Sequence, residues 1–189
     1  MLLIIGKQRS GKTALCYFLA QQTGRKTYTI TAAREVPTGV YVIHDPDCVP
    51  EGGICIIDDT SLFFNSMRTK KTDEEYQLLR DILVISEKQD ICFIFNTHDS
   101  SLLHSTILGQ CRTLFFKESN LMFSGTERAS IKSIMQYVQQ GFIKIPKKDP
   151  IPIFSFIARI VEHGASFHCR LDGIRKFPRA LSTMQISEK

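Results

Sequence analysis

The chain has 189 residues, of which 43% are hydrophobic and 23% charged, a balance that excludes disordered and fibrous classes. At this length one core buries roughly 70% of the unfolded surface, so no metal or disulfide staple is required. The net charge is +5 and sits entirely in the tail: residues 1–140 hold 15 basic and 15 acidic residues, and residues 141–189 hold 9 and 4. Such a field suits a polyanion such as a phosphate backbone, or it is only a solvated surface.

Leu2–Ile5 has the length of a strand and runs into a glycine-containing loop. It is far short of the roughly 18 residues of a membrane span. It also has no basic leader or cleavage site, so a non-secreted, intracellular chain is expected. Lys12–Gln22 reads as a helix with Ala14, Leu15, Phe18 and Leu19 on one face. Thr27–Thr31, Val40–Ile43 and Ile54–Ile57 read as strands, separated in part by the turn residues Asp45-Pro46-Asp47 and Glu51-Gly52-Gly53.

Asp73–Lys88 is the clearest helix, with Tyr76, Leu79, Ile82 and Leu83 in one stripe and acids at its start. Ile91–Phe95 reads as a buried strand, and Asp99-Ser100-Ser101 as the cap of a helix that Gly109 stops. Thr113–Phe116 follows as a strand, then a helix over Ala129–Gln140 ending at Gly141. Strands alternating with helices, and apolar on both faces, imply an α/β fold with a mostly parallel central sheet flanked by helices. Two regions are expected: a core over 1–140 and a small basic appendage over 141–189, packed on it. Of the six cysteines, Cys55 and Cys92 read as core residues, and His163, His168 and Cys169 lack a recognised metal-ligand spacing.

Gly6-Lys7-Gln8-Arg9-Ser10-Gly11-Lys12-Thr13 fits the phosphate-loop pattern GxxxxGK[ST] in full, between a strand and a helix. Glycines let successive backbone N–H groups face phosphate oxygens, and the helix start at Thr13-Ala14 adds its positive end. Lys12 is expected on the β- and γ-phosphates, and Thr13 on Mg²⁺. Ile54–Ile57 followed by Asp58-Asp59 has the form of the second nucleotide motif. Asp58 is expected to hold Mg²⁺ through water, and Asp59 to orient or deprotonate the attacking water. After the next apolar strand, Asn96, Thr97 or His98 is expected to sense the γ-phosphate or to cap a loop. Arg68, Arg80 and Arg112 are candidate arginine fingers, Arg112 favoured by a position expected near the same sheet end as the sensor.

With these motifs in place, the chain resembles the FtsK–HerA superfamily of P-loop motors, in particular the small genome-packaging ATPases of icosahedral viruses. The likeness covers residues 2–140. It rests on Leu3–Thr13, Ile57–Phe63, the acid- and leucine-rich Asp73–Glu87, Phe95–Ser100 and Gly109–Ser119, where the family has a strand followed by a basic-acidic pair. Thr97-His98 stands where the family usually has Thr-Gln, and Asp59 where Glu is common. The resemblance implies an ATP- and Mg²⁺-dependent motor, assembled as a pentameric or hexameric ring and translocating double-stranded DNA into a capsid. It places the chain in host cytoplasm or on the virion, with capsid or membrane proteins as further partners. The basic tail, with Lys144, Lys147, Lys148, Arg170, Arg175, Lys176 and Arg179, lies beyond the likeness and is expected to face DNA or to dock on the capsid. The alternatives are a nucleoside or nucleotide kinase and a nucleotide-gated assembly protein.

Overall fold

Strands that are apolar on both faces need cover on both sides, and the sheet obtains it from helices. The computed structural model describes residues 1–33, 35–60, 73–103, 105–118, 129–145, 154–159 and 169–172. Among the described residues, eight strands form one sheet: β1 (Leu2–Ile5), β2 (Thr27–Ile30), β3 (Val40–Val42), β4 (Ile54–Ile57), β5 (Cys92–Thr97), β6 (Thr113–Phe116), β7 (Phe154–Arg159) and β8 (Cys169–Asp172). Their order is β3-β2-β4-β5-β1-β6-β7-β8. The pairs among β1 to β6 are all parallel, while β7 runs against β6 and β8 against β7.

Alternation along the strands splits the core into two layers. Ile4, Ile54, Ile56, Ile94 and Phe115 pack with Leu15, Cys16, Tyr17 and Ala20 of α1 (Lys12–Gln22). On the other face, Leu3, Ile5, Cys55, Ile57, Phe93, Phe95, Leu114 and Phe116 meet the remaining helices. These are α2 (Asp73–Lys88), through Ile82 and Ile85, α3 (Ser105–Gln110), through Ile107, and α4 (Ala129–Ile143), through Ile131, Met135, Val138 and Phe142. No helix among the described residues is long and apolar enough to cross a membrane.

Several expected boundaries move. β5 runs on through the polar pair Asn96-Thr97, because both residues continue the ladder opposite Ile4 and Ile5 and both side chains find buried hydrogen bonds. The Asp99 cap forms, its carboxylate accepting from Ser101 N–H at 2.7 Å, but it starts only a short 3₁₀ turn over Ser100–Leu102. Leu103 is extended, and α3 then passes through Gly109 rather than stopping there.

Gly141 does not end α4 either; the helix continues to Ile143. A Cβ on Gly141 would lie 2.5 Å from the Phe156 ring, so this glycine admits an aromatic side chain and is no terminator. Phe156 comes from β7, opposite Phe116 in the β6–β7 ladder, and meets Phe142 edge-on with centroids 4.9 Å apart. Part of the expected appendage therefore completes the sheet. Lys147, Lys148, Arg175, Lys176, Arg179, His163 and His168 lie outside the described residues.

Glycine-to-alanine changes inside helices ordinarily stabilise by about 1 kcal/mol. Gly141→Ala should instead lower stability by about 1–3 kcal/mol, the usual range for overpacking a filled core. Urea denaturation measures this, and the double variant Gly141→Ala/Phe156→Leu should recover most of the loss. A stabilised single variant would show that the ring yields without cost.

Candidate phosphate-binding site

Parallel strands bring their carboxyl ends to one edge of the sheet, and the loops there form the site. β1 ends at Gly6, between β5 and β6, and the loop curls over this edge into α1. Arg9 and Gly11 have positive φ, 61° and 86°. Gly11 caps α1 in the left-handed conformation, which glycine adopts without a Cβ penalty. The loop is tied to both neighbouring strands: Gly6 N–H donates to Thr97 O at 3.3 Å, and Lys7 N–H to Glu118 O at 2.9 Å.

Lys12, in the first turn of α1, points its buried ammonium back into the loop. It donates to Lys7 O at 3.0 Å and meets His98 Nδ1 at 2.9 Å. A charged ammonium only donates, so Nδ1 is the acceptor and the ring hydrogen lies on Nε2. That nitrogen faces Asp59 Oδ2 at 3.5 Å. Burial lowers the Lys12 pKa to about 8, against the raising influence of the Asp59 and Asp58 carboxylates.

Asp58 follows β4 and is held on both oxygens. Thr13 Oγ1 donates to Oδ1 at 3.0 Å, the Asn96 amide donates to the same oxygen at 2.5 Å, and Thr31 Oγ1 donates to Oδ2 at 3.2 Å. Asp59 sits at φ 55°, in the left-handed region, and its N–H donates to Asn96 Oδ1 at 2.8 Å. One Asn96 side chain thus fixes both acids.

The three sensor candidates separate by geometry. Asn96 is buried against the acids, Thr97 caps the following turn by donating to Asp99 O at 2.9 Å, and His98 reaches Lys12 and Asp59. Arg112 joins none of them. It is exposed and precedes β6, whose first residue Thr113 pairs with Leu2 at the start of β1. The expectation that it lies near the sensor fails because β6 is parallel to β1, which puts a residue before the strand at the opposite sheet end. Arg68 and the side chain of Arg80 lie outside the described residues.

Two site residues carry no expectation from sequence. Thr31 reads there only as the end of a strand, its hydroxyl marked by nothing but that position beside β4. Lys117 reads as part of a basic-acidic pair, yet it is 2% exposed and lies against Gly6. Its signal is a lysine directly after an apolar strand that flanks the loop strand.

The residues fit a magnesium-bound nucleoside triphosphate. Gly6 has no room for a Cβ, which would fall 2.9 Å from Ser10 Oγ. That hydroxyl is buried and has no hydrogen-bond partner among the described residues. Thr13 and Asp58 present the hard oxygens that Mg²⁺ prefers.

No protein-family model and no curated protein matches the chain. Solved structures do. The genome packaging NTPase B204 from Sulfolobus turreted icosahedral virus 2, in complex with sulfate, superposes with a TM-score of 0.57 at 12% identity, covering 94% of this chain and 98% of that one. The DNA-packaging ATPase B204 from Sulfolobus turreted icosahedral virus gives 0.55 at 16% identity, covering 92% and 97%. The cytoplasmic domain of the type VII secretion ATPase EccC from Thermomonospora curvata gives 0.54 at 9% identity, covering 93% of this chain and 24% of that one. The chain has the fold of the FtsK–HerA-type P-loop ATPases.

Proposed function

We propose that the chain is an ATP-hydrolysing motor that packages double-stranded DNA into a viral capsid. The observation that carries the reading is the convergence of Lys12, His98 and Asp59 in one line of contacts beside the Thr13–Asp58 pair. The B204 likeness supports a packaging role, since that protein is a genome packaging NTPase with ATP-γ-S and AMPPCP complexes.

Lys12 exchanges Lys7 O and His98 Nδ1 for β- and γ-phosphate oxygens. The backbone N–H groups of residues Lys7 to Ala14 line the phosphates, and Gln8 and Arg9 form the exposed lip of the loop. Thr13 and Asp58 are the residues that would hold Mg²⁺, whose charge neutralises the phosphates. Asp59 takes a proton from the attacking water as its oxygen bonds the γ-phosphorus and the bond to ADP breaks. His98 Nε2–H keeps the Asp59 carboxylate aimed, and its Nδ1, once Lys12 leaves, registers the phosphate. A ring, pentameric or hexameric, would let a neighbour supply an arginine. For Arg112 this requires the neighbour to present the start of its β6. The basic tail holds DNA or docks the ring on a capsid or membrane protein at the packaging vertex.

Lys12→Ala should cut hydrolysis roughly a hundred-fold or more, the scale of losing a preorganised charge donor. Unchanged turnover would refute nucleotide chemistry at this loop. Asp59→Asn should keep Mg²⁺-ATP affinity and lose about 10²–10⁴-fold in turnover, as for a general base. Asp58→Asn should raise the Mg²⁺ concentration needed for half-maximal rate. A shared phenotype would merge the two roles.

Affinity for ATP should also fall as pH rises above about 8. The empty-site Lys12 loses its proton there, and the bound state needs it back. Calorimetric titrations between pH 7 and 9 follow this, and a flat profile would separate Lys12 from the phosphates. For DNA, removing Lys147, Lys148, Arg175 and Lys176 together should flatten the salt dependence of duplex binding by about three to four in log–log slope. DNA-independent ATPase activity should stay intact. Equal slopes would assign the tail to docking.

A further inference from the structure

Behind the phosphate loop lies a second buried cation for which the hydrolytic reading has no use. Lys117 follows β6 directly, and its N–H donates to Ile5 O at 2.8 Å, which extends the β1–β6 ladder beside Gly6. Residues two apart on a strand share a face. Lys117 therefore lies on the same side as Phe115, which packs with Leu15 and Cys16 of α1, beneath the loop rather than away from it. A Cβ placed on Gly6 would come 2.5 Å from Lys117 Cβ, so only glycine lets the lysine stem pass this close under the loop. The same point in space is 2.9 Å from Ser10 Oγ, a hydroxyl 2% exposed that has no hydrogen-bond partner among the described residues.

We propose that Lys117 and the Ser10 hydroxyl form a second phosphate-binding element under the loop, with Lys117 sharing the charge of the bound polyphosphate with Lys12. The inference rests on the reading that this loop binds a nucleoside triphosphate. The electrostatics agree. Burial, and then the charge of Lys12, lower the Lys117 pKa to about 8. Lys12 is itself brought down by burial, with Asp59 and Asp58 opposing. Lys7 is engaged elsewhere, paired with Glu118 at 2.6 Å, and His98 faces Lys12 and Asp59. The Lys12 charge is felt at Lys117 as a like charge, and an anion bound beside both would offset that influence. Above pH 8 such an anion also draws a proton onto Lys117.

The test is calorimetric binding of inorganic tripolyphosphate to the full chain at pH 9, in two buffers of different ionisation heat. The comparison covers wild type, Lys117→Met, Lys117→Arg and Lys12→Ala. Lys117→Met should weaken binding about ten- to hundred-fold, the range for a lost charge-assisted hydrogen bond, and reduce proton uptake by close to one. Lys117→Arg should bind within a few-fold of wild type with the same reduced uptake, because a guanidinium already carries its proton. A merely structural lysine would not separate affinity from proton uptake in this way. Wild-type affinity in the Met variant, or wild-type proton uptake in the Arg variant, overturns the proposal. Should the Met variant fail to fold, the Arg variant decides alone. If Lys12→Ala loses binding while both Lys117 variants match wild type, only this inference fails. If wild type itself binds no tripolyphosphate, the nucleotide reading fails with it.

Discussion

One carboxylate ties the carboxyl edge of the sheet together. Asp58 accepts from Thr13 at the start of α1, from Thr31 beyond β2 and from Asn96 in β5, so three elements distant in sequence meet on two oxygens. A partly buried charge is tolerated only where hydrogen bonds replace lost hydration, and here every donor comes from a different element. Asn96 then carries the constraint onward: the amide that donates to Asp58 also accepts from the Asp59 N–H. That contact holds Asp59 in a backbone region non-glycine residues seldom occupy. The direction of the second acid, and with it the contact to His98, follows from the anchoring of the first.

The cations at this edge work in the opposite sense. Lys12 and Lys117 are both buried and both have pKa values brought down to about 8, so keeping them charged costs the empty protein free energy. Relative to an unfolded lysine near 10.5, that cost is fully present below pH 8 and fades as pH rises toward 10.5, where both states are neutral. Stability of the empty protein should therefore climb over that interval. On the proposed reading, a polyanion in the loop would offset the same cost at neutral pH. Backbone ties from Gly6 and Lys7 to the flanking strands keep the loop in shape in the empty protein.

How much of this is legible in the sequence varies with the range of the interaction. The loop, the helix over Lys12–Gln22 and the strand leading into Asp58-Asp59 depend on residues within a few positions of each other, and the residues declare them. Spacing sets backbone turns, and apolar alternation sets burial. His98 is visible as one of three polar residues after a strand. Choosing among the three needs the partners, because Asn96, Thr97 and His98 differ only in which neighbouring element each side chain meets. Gly109 and Gly141 look like helix stops to any local reading. Gly141 is instead the space for a ring from β7, a segment that local patterning reads as a small basic appendage packed on the core.

The sequence by itself therefore determined the α/β class, the phosphate loop and the pair of acids, since these are properties of short continuous stretches. Tertiary structure alone decided that Thr31 bonds the Asp58 carboxylate, that Arg112 stands at the far end of the sheet and that Lys117 lies against Gly6. Each of these follows from strand order and direction. Placing β1 between β5 and β6, all parallel, sets residues more than a hundred positions apart side by side, and no periodicity along the chain encodes that choice.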